Sequence, residues 1–176
     1  MKPTVALIAN NTTGKILIDI RHRLWLEEFP DISDVCCQVI QQTFAAVNWA
    51  GPNCEVGVVL ADDEFITELN RKWRSVDSPT NVLAFPCEND GSASYGPGDL
   101  LLGDIVVSYE TLQGEANGKQ IPLVHHLSHL IIHGTLHLLG FNHIEDTDAH
   151  RMERLEIQTL SQLGIDNPYV EDNDYF

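Results

Sequence analysis

The segment HGTLHLLGFNH at 133–143 carries three histidines with the spacing of a metal site. His133 and His137 are four residues apart, so on a helix they project from one face and can bind one ion. Gly140 can adopt the left-handed conformation that ends a helix, which lets His143 approach the same ion from another direction. Three neutral imidazoles that leave a fourth position to water are typical of catalytic zinc sites. The segment therefore predicts one zinc ion bound by these three side chains.

The residue after the first histidine indicates which class of substrate the site can hydrolyse. In metalloproteases with the pattern HExxHxxGxxH that residue is a glutamate, and here it is Gly134. Peptide hydrolysis needs the glutamate as a base. In RNA the 2′-hydroxyl is an internal nucleophile, and zinc lowers the pKa of water to about 7 without a carboxylate. The absent glutamate is therefore a serious defect for a peptidase and a tolerable one for a ribonuclease.

The helix that positions the first two histidines is predicted between Pro122 and Gly140. Proline is common in the first turn of a helix and glycine just after its last, and the intervening segment LVHHLSHLIIHGTLHLL is largely apolar. His129 lies one turn before His133 on the same face. We expect His129 to support a ligand or to pack in the core rather than to bind the ion.

Four strands and four further helices are predicted around that helix. Apolar segments bounded by turn residues indicate strands at 15–20, 54–61, 81–86 and 101–109, and helical periodicity indicates helices at 31–51, 62–73, 110–117 and 146–163. We expect a single α+β domain over 1–176, with a small mixed β-sheet and a zincin-like metal-site helix. Residues 1–14 and 166–176 are expected to be flexible ends, and the Gly- and Ser-rich segment 88–99 a mobile loop.

The composition is that of a soluble globular protein. The 176 residues are 43% hydrophobic and 20% charged, ordinary values for one domain. No apolar run approaches the roughly 18 residues of a membrane span, and the N-terminus lacks a convincing cleavage site. We therefore expect a cytoplasmic protein without a membrane partner.

The cysteines, which form no CxxC pair, are expected to be reduced thiols; they are Cys36, Cys37, Cys54 and Cys87.

The net charge of −16 comes from 26 acidic and 10 basic residues. Such an acidic surface repels phosphate, so any nucleic acid must be contacted locally. Arg71, Lys72 and Arg74 form the densest group of basic residues. From their pattern alone, the favourable placement of cations at the C-terminal end of a helix is the better explanation.

Four successive segments resemble those of the YbeY family, whose members are metal-dependent endoribonucleases of ribosomal RNA maturation. The segments are LNRKWRSVDSPTNVLAFP at 69–86, LLGDIVVS at 101–108, HGTLHLLGFNH at 133–143 and EDTDAHRMERLE at 145–156. The resemblance covers approximately residues 54–165, and the residues before it match only loosely. The family pattern has aspartate immediately before the third histidine, where this chain has Asn142.

The resemblance implies that His133, His137 and His143 bind one Zn²⁺ per chain and that Arg74 is a catalytic residue. It also implies a single-strand-preferring, zinc-dependent endoribonuclease that acts in ribosomal RNA maturation and ribosome quality control, with ribosomal proteins or the small subunit as further partners. The chemistry agrees, because zinc and an arginine fork can both stabilise charge on phosphate oxygens. Asp104 is a candidate for orienting a ligand, with ordinary hydrogen bonding at a strand end as the alternative.

Two other functions fit parts of the sequence. A metalloprotease-like hydrolase fits the histidine spacing, although no Met-turn is evident, since Met152 lies in a predicted helix. A non-catalytic ribosome-assembly factor with a structural zinc fits the acidic charge, which would favour docking on basic ribosomal proteins.

Overall fold

A mixed β-sheet forms the centre of the computed structural model, which describes residues 5–11, 14–87 and 100–170. In these residues five strands pair in the order β1-β2-β3-β5-β4. They are β1 (Val5–Asn11), β2 (Gly14–Ile20), β3 (Cys54–Ala61), β4 (Val82–Pro86) and β5 (Leu100–Ser108). The three inner strands are parallel, whereas β1 and β4 run antiparallel to their neighbours at the two edges.

Helices cover one face of the sheet fully and the other in part. They are α1 (Leu24–Glu28), α2 (Ile32–Ala46), α3 (Asp63–Arg74), α4 (Tyr109–Lys119), α5 (Leu123–Leu138) and α6 (Asp146–Gln162). The main core lies between the sheet and α2, α5 and α6, and a smaller apolar cluster lies under α3 on the other face. Because strand side chains alternate, Ile105 and Val107 of β5 face the main core while Val106 faces α3. This mixed sheet with helices confirms the predicted fold class.

The elements differ from the prediction mainly in the first fifty residues. Residues 5–11, expected in a flexible end, form β1 because they pair along their whole length with β2. The helix predicted over 31–51 ends at Ala46, because Asn48 takes a left-handed φ of 53° and the Trp49 N–H bonds to the Phe44 carbonyl. The expected mobile loop at 88–99 and the last residues of the acidic tail, 171–176, lie outside the described residues.

No helix in the described part of the chain has the length and apolar character needed to cross a membrane.

Candidate metal centre

The three histidines predicted as metal ligands meet at the end of α5. The Nε2 atoms of His133 and His137 are 3.0 Å apart. Gly140 takes a left-handed φ of +88° after the helix ends, and the chain returns to place His143 beside the other two rings. One nitrogen from each ring lies within 4.8 Å of the others. Nitrogens in a tetrahedral zinc site are about 3.3 Å apart, so this group can hold one metal ion.

The outer nitrogens of two rings are held by groups that can only accept a hydrogen bond. His133 Nδ1 lies 2.7 Å from Glu156 Oε1, and His137 Nδ1 lies 3.1 Å from the Phe141 carbonyl oxygen. Both Nδ1 atoms must therefore donate, which leaves each Nε2 with its lone pair facing the shared space. Two lone pairs 3.0 Å apart repel each other unless a cation lies between them. The arrangement fits a divalent metal.

Glu156 on α6 is the carboxylate that orients His133. It is 1% exposed and also contacts His129 Nε2, at 3.3 Å, and the Tyr169 hydroxyl. Burial opposes the ionisation of Glu156, but hydrogen bonds from His129, His133 and Tyr169 outweigh it and lower the pKa to about 2. The carboxylate is thus charged at neutral pH and holds the imidazole in the tautomer that a metal requires.

Glu156 was not predicted from the sequence, although a signal for it exists. Met152, Thr159 and Leu160 are buried on α6, and Glu156 falls in the same helical stripe. An acidic residue in an otherwise inward-facing stripe is rarely buried without a partner. That position could have identified a carboxylate directed at the histidines.

His137 is held in its neutral form. Burial, followed by the nearby His133 and His143, lowers the pKa of His137 to about 4. At neutral pH its Nε2 therefore carries no proton that a metal would have to displace.

A cleft of about 390 Å³ opens beside the histidines. Its walls are the end of α5, strand β4 and the segment that precedes β4; its residues are Arg74, Thr80, Asn81, Val82, Ala84, Pro86, His133, Gly134, His137 and His143. None of these lining residues is acidic. In the part of the chain that the structure describes, the cleft therefore combines a metal-binding group with a cation and lacks a carboxylate base.

The cation of the cleft is Arg74, the residue predicted to be catalytic. The two neighbouring basic residues are engaged elsewhere: Arg71 Nε donates to Asp77 at 2.9 Å, and Lys72 Nζ lies 5.0 Å from the centre of the Trp73 ring. No carboxylate among the described residues pairs with Arg74. Its guanidinium therefore remains available for an anion in the cleft.

The turn after Arg74 is fixed by Asn70, whose role was not predicted from the sequence. Asn70 is 5% exposed, and its side-chain Nδ2 donates to the Ser78 carbonyl at 2.9 Å. Ser75 ends α3 in the left-handed conformation, with φ of 57°. These contacts hold the end of α3 against the start of β4 and so position Arg74 at the cleft.

The far wall of the cleft is tied to the helices behind it. Asn81 Nδ2 donates to both oxygens of Glu115 on α4, at 2.9 and 3.2 Å, and Asn81 Oδ1 accepts from the Val82 N–H at 2.7 Å. Glu115 in turn contacts the buried His126 of α5 at 2.6 Å. The wall is therefore attached to the same helix that carries the histidines.

Two other residues considered from the sequence lie outside the histidine group. His129 contacts Glu156 and is not one of the three rings that surround the metal position. Asp104 is exposed on the sheet face opposite α5, because the next residue, Ile105, points into the main core. Asp104 therefore cannot orient a metal ligand, and that hypothesis was wrong.

The glycine that replaces the peptidase glutamate lies where a side chain has little room. A Cβ built at Gly134 would come within 2.8 Å of Ile105 Cγ2, and Ile105 is fully buried on β5. Gly134 thus permits the close packing of α5 on the sheet.

Replacing Gly134 with alanine is expected to destabilise the metal-free protein by up to about 2 kcal/mol. Overpacking costs about 1–3 kcal/mol and the higher helix propensity of alanine returns about 1 kcal/mol. Urea unfolding would measure the change. Gly114→Ala is the matched control, because Gly114 is an exposed helical glycine whose added Cβ meets nothing within 4 Å. That control should stabilise the protein, and equal effects of the two changes would contradict the tight contact.

A second prediction concerns Asn142, which precedes the third histidine. Its Oδ1 accepts from the Ile144 N–H at 3.1 Å and so supports the turn that carries His143. Aspartate offers the same acceptor, so Asn142→Asp should change catalytic activity by less than about tenfold, whereas Asn142→Ala should be worse. Steady-state kinetics would test both. A change above about 100-fold for the aspartate variant would show that the charge matters more than the hydrogen bond.

Comparison with known proteins identifies the family. The model of the family described as Endoribonuclease YbeY matches residues 22–164. The Endoribonuclease YbeY of Paramagnetospirillum magneticum is 43% identical over 160 residues, covering 90% of this chain and 98% of that protein. The protein of the same name from Methylocella silvestris is 44% identical over 155 residues, covering 88% and 85%. That of Bradyrhizobium diazoefficiens is 43% identical over 148 residues, covering 84% and 80%.

The family match extends over both walls of the cleft and all three histidines. It confirms the resemblance drawn from the four sequence segments. The chain belongs to the Endoribonuclease YbeY family.

Proposed function

We propose that the chain is a zinc-dependent endoribonuclease that prefers single-stranded RNA and acts on ribosomal RNA in the cytoplasm, in its maturation and in ribosome quality control. The relatives are named endoribonucleases, which supports hydrolysis of RNA as the reaction. Ribosomal proteins or the small subunit are the proposed further partners, since an acidic chain of net charge −16 suits basic proteins.

One observation carries the proposal: an arginine without a described carboxylate partner shares a cleft with three convergent histidines. Phosphodiester cleavage adds negative charge to nonbridging oxygens, and Arg74 can donate two parallel hydrogen bonds to them. The described lining has no acidic residue that would repel a phosphate. Peptide hydrolysis gains nothing comparable from this lining, because Gly134 and its neighbours supply no base.

In phosphodiester cleavage, each residue of the site would have a separate role. His133, His137 and His143 would hold the zinc, which supplies a Lewis acid for phosphate oxygens and lowers the pKa of water when it is bound. Arg74 would fix the scissile phosphate against the histidines and stabilise its developing charge. Glu156 would keep His133 in the required tautomer.

The experiment that tests this function compares wild type, Arg74→Ala and His137→Ala, all after zinc loading, on ribosomal RNA precursors. The precursors should be used both free and assembled in subunits. Cleavage by wild type alone would support the proposal. Equal cleavage by all three proteins would reveal a contaminating nuclease, and hydrolysis of a peptide but of neither RNA would favour the metalloprotease function.

A further inference from the structure

A second concave surface lies on the sheet face opposite the histidines. It is a groove of about 830 Å³ between α3 and the open face of the sheet. Much of its lining is apolar, and it includes Leu17, Val59, Phe65, Trp73, Phe85 and Val106. Trp73 is 63% exposed there, although tryptophan is usually well buried. The groove thus presents a large aromatic ring to solvent.

The groove continues into the cleft of the metal centre. Ala84 and Pro86 of the edge strand β4 line both surfaces. Trp73 and Arg74 are consecutive residues of α3, and successive helical side chains point about 100° apart. Arg74 therefore lines the cleft while Trp73 lines the groove. A flexible chain whose phosphate is bound by Arg74 can cross β4 and reach Trp73.

The aromatic rings of the groove are accompanied by cations. Trp73 meets Phe85 edge-on, with ring centres 6.2 Å apart, and Lys72 Nζ lies 5.0 Å from the Trp73 ring centre. Arg21 lies 4.4 Å from the ring centre of Phe65. Aromatic side chains interleaved with basic ones are typical of surfaces that bind single strands, where rings stack on bases and cations contact the backbone.

The charges on the groove floor select which part of a nucleotide can enter. Asp104 lines the floor and would repel a phosphate, and Asp19 beside it is paired with Arg21 at 2.7 Å. Carboxylate oxygens accept hydrogen bonds from the amino groups of bases. The groove therefore suits a base, and the backbone phosphate is left to Arg74 at the end of α3.

We propose that this groove binds an unpaired base of the RNA substrate, stacked on Trp73, while the nearby scissile phosphate is held at Arg74. The inference rests on the proposed ribonuclease function and deepens it. A duplex keeps its bases stacked and paired, so it cannot place one against Trp73. The groove thus supplies a structural reason for a preference for single strands.

The test is single-turnover cleavage of a short unstructured RNA by zinc-loaded wild type, Trp73→Ala and Trp73→Phe. Trp73→Ala should raise the half-saturating protein concentration by about 5- to 140-fold, the usual effect of losing one stacked base, with a smaller effect on the rate at saturation. Phenylalanine keeps a stacking face and should recover most of the affinity. Val76→Ala is the matched control, because Val76 is 44% exposed and lines neither surface.

A series of RNAs with one abasic nucleotide at each position in turn separates stacking from other effects. In wild type, one position should weaken binding as much as Trp73→Ala does, and in Trp73→Ala the same abasic change should have no further effect. Independent, additive losses would overturn the inference. Normal cleavage by Trp73→Ala with an unchanged half-saturating protein concentration would also overturn it. That result would favour a basic polypeptide as the occupant of the groove. If wild type cleaves no RNA, the proposed function and the inference fail together.

Discussion

Replacing His137 with alanine is expected to abolish stoichiometric zinc binding and to lower RNA cleavage by more than about 100-fold. Changes to residues that merely orient a metal ligand cost about 10- to 100-fold, so losing a ligand should cost more. His137 Nε2 lies 3.0 Å from His133 Nε2, and the His137 ring is neutral at physiological pH. It therefore contributes a nitrogen that no other described residue can replace. Elemental analysis and kinetics on the same preparation would measure both effects.

The controls separate loss of the metal from loss of the fold. His150→Ala is matched in chemistry, since His150 is an exposed histidine on α6 outside the group of three. It should retain one zinc per chain and full activity. Glu156→Gln should retain the fold and weaken zinc binding by about 10- to 100-fold, because the amide cannot hold His133 as a charged carboxylate does. Full zinc content in His137→Ala would place the metal elsewhere in the chain.

The convergence of the three histidines was predictable because their relation is local. A spacing of four residues on a helix and a glycine that ends the helix determine where the three rings lie, whatever the rest of the fold does. Glu156 was harder to predict, since it comes from another helix and its contact with His133 depends on how α5 and α6 pack. Packing between helices is set by side chains along both surfaces, which no short segment encodes.

The local sequence pattern was insufficient to predict which face of the sheet Asp104 lies on. In the segment LLGDIVVS, both Ile105 and Val106 are buried, on opposite faces of β5, so simple alternation does not reveal which face is toward the metal. Only the position of α5 against Ile105 settles that Asp104 points away. The edge strand β1 was missed for a similar reason, because its pairing partner β2 is not evident from the segment itself.

Arg74 is expected to have the second large effect. Arg74→Ala should lower kcat/KM for RNA cleavage by about 10²–10³-fold, the usual effect of removing one donor that stabilises developing charge. Arg74→Lys should remain well below wild type, because an ammonium keeps the charge but cannot reproduce the planar, two-donor fork. Both variants should keep one zinc per chain, since Arg74 is not one of the three clustered histidines. Metal analysis and cleavage kinetics would be measured together.

Arg71→Ala is the matched control for Arg74, because Arg71 lies one turn earlier on α3 and is paired with Asp77. Its loss should change cleavage little. The salt dependence of RNA binding should distinguish the two residues further: removing one phosphate contact reduces the slope of log affinity against log salt by about 0.7 for a single strand. Arg74→Ala should show this reduction and Arg71→Ala should not. If the two variants lose activity and slope equally, the basic end of α3 acts as a diffuse patch, and Arg74 has no special place beside the metal.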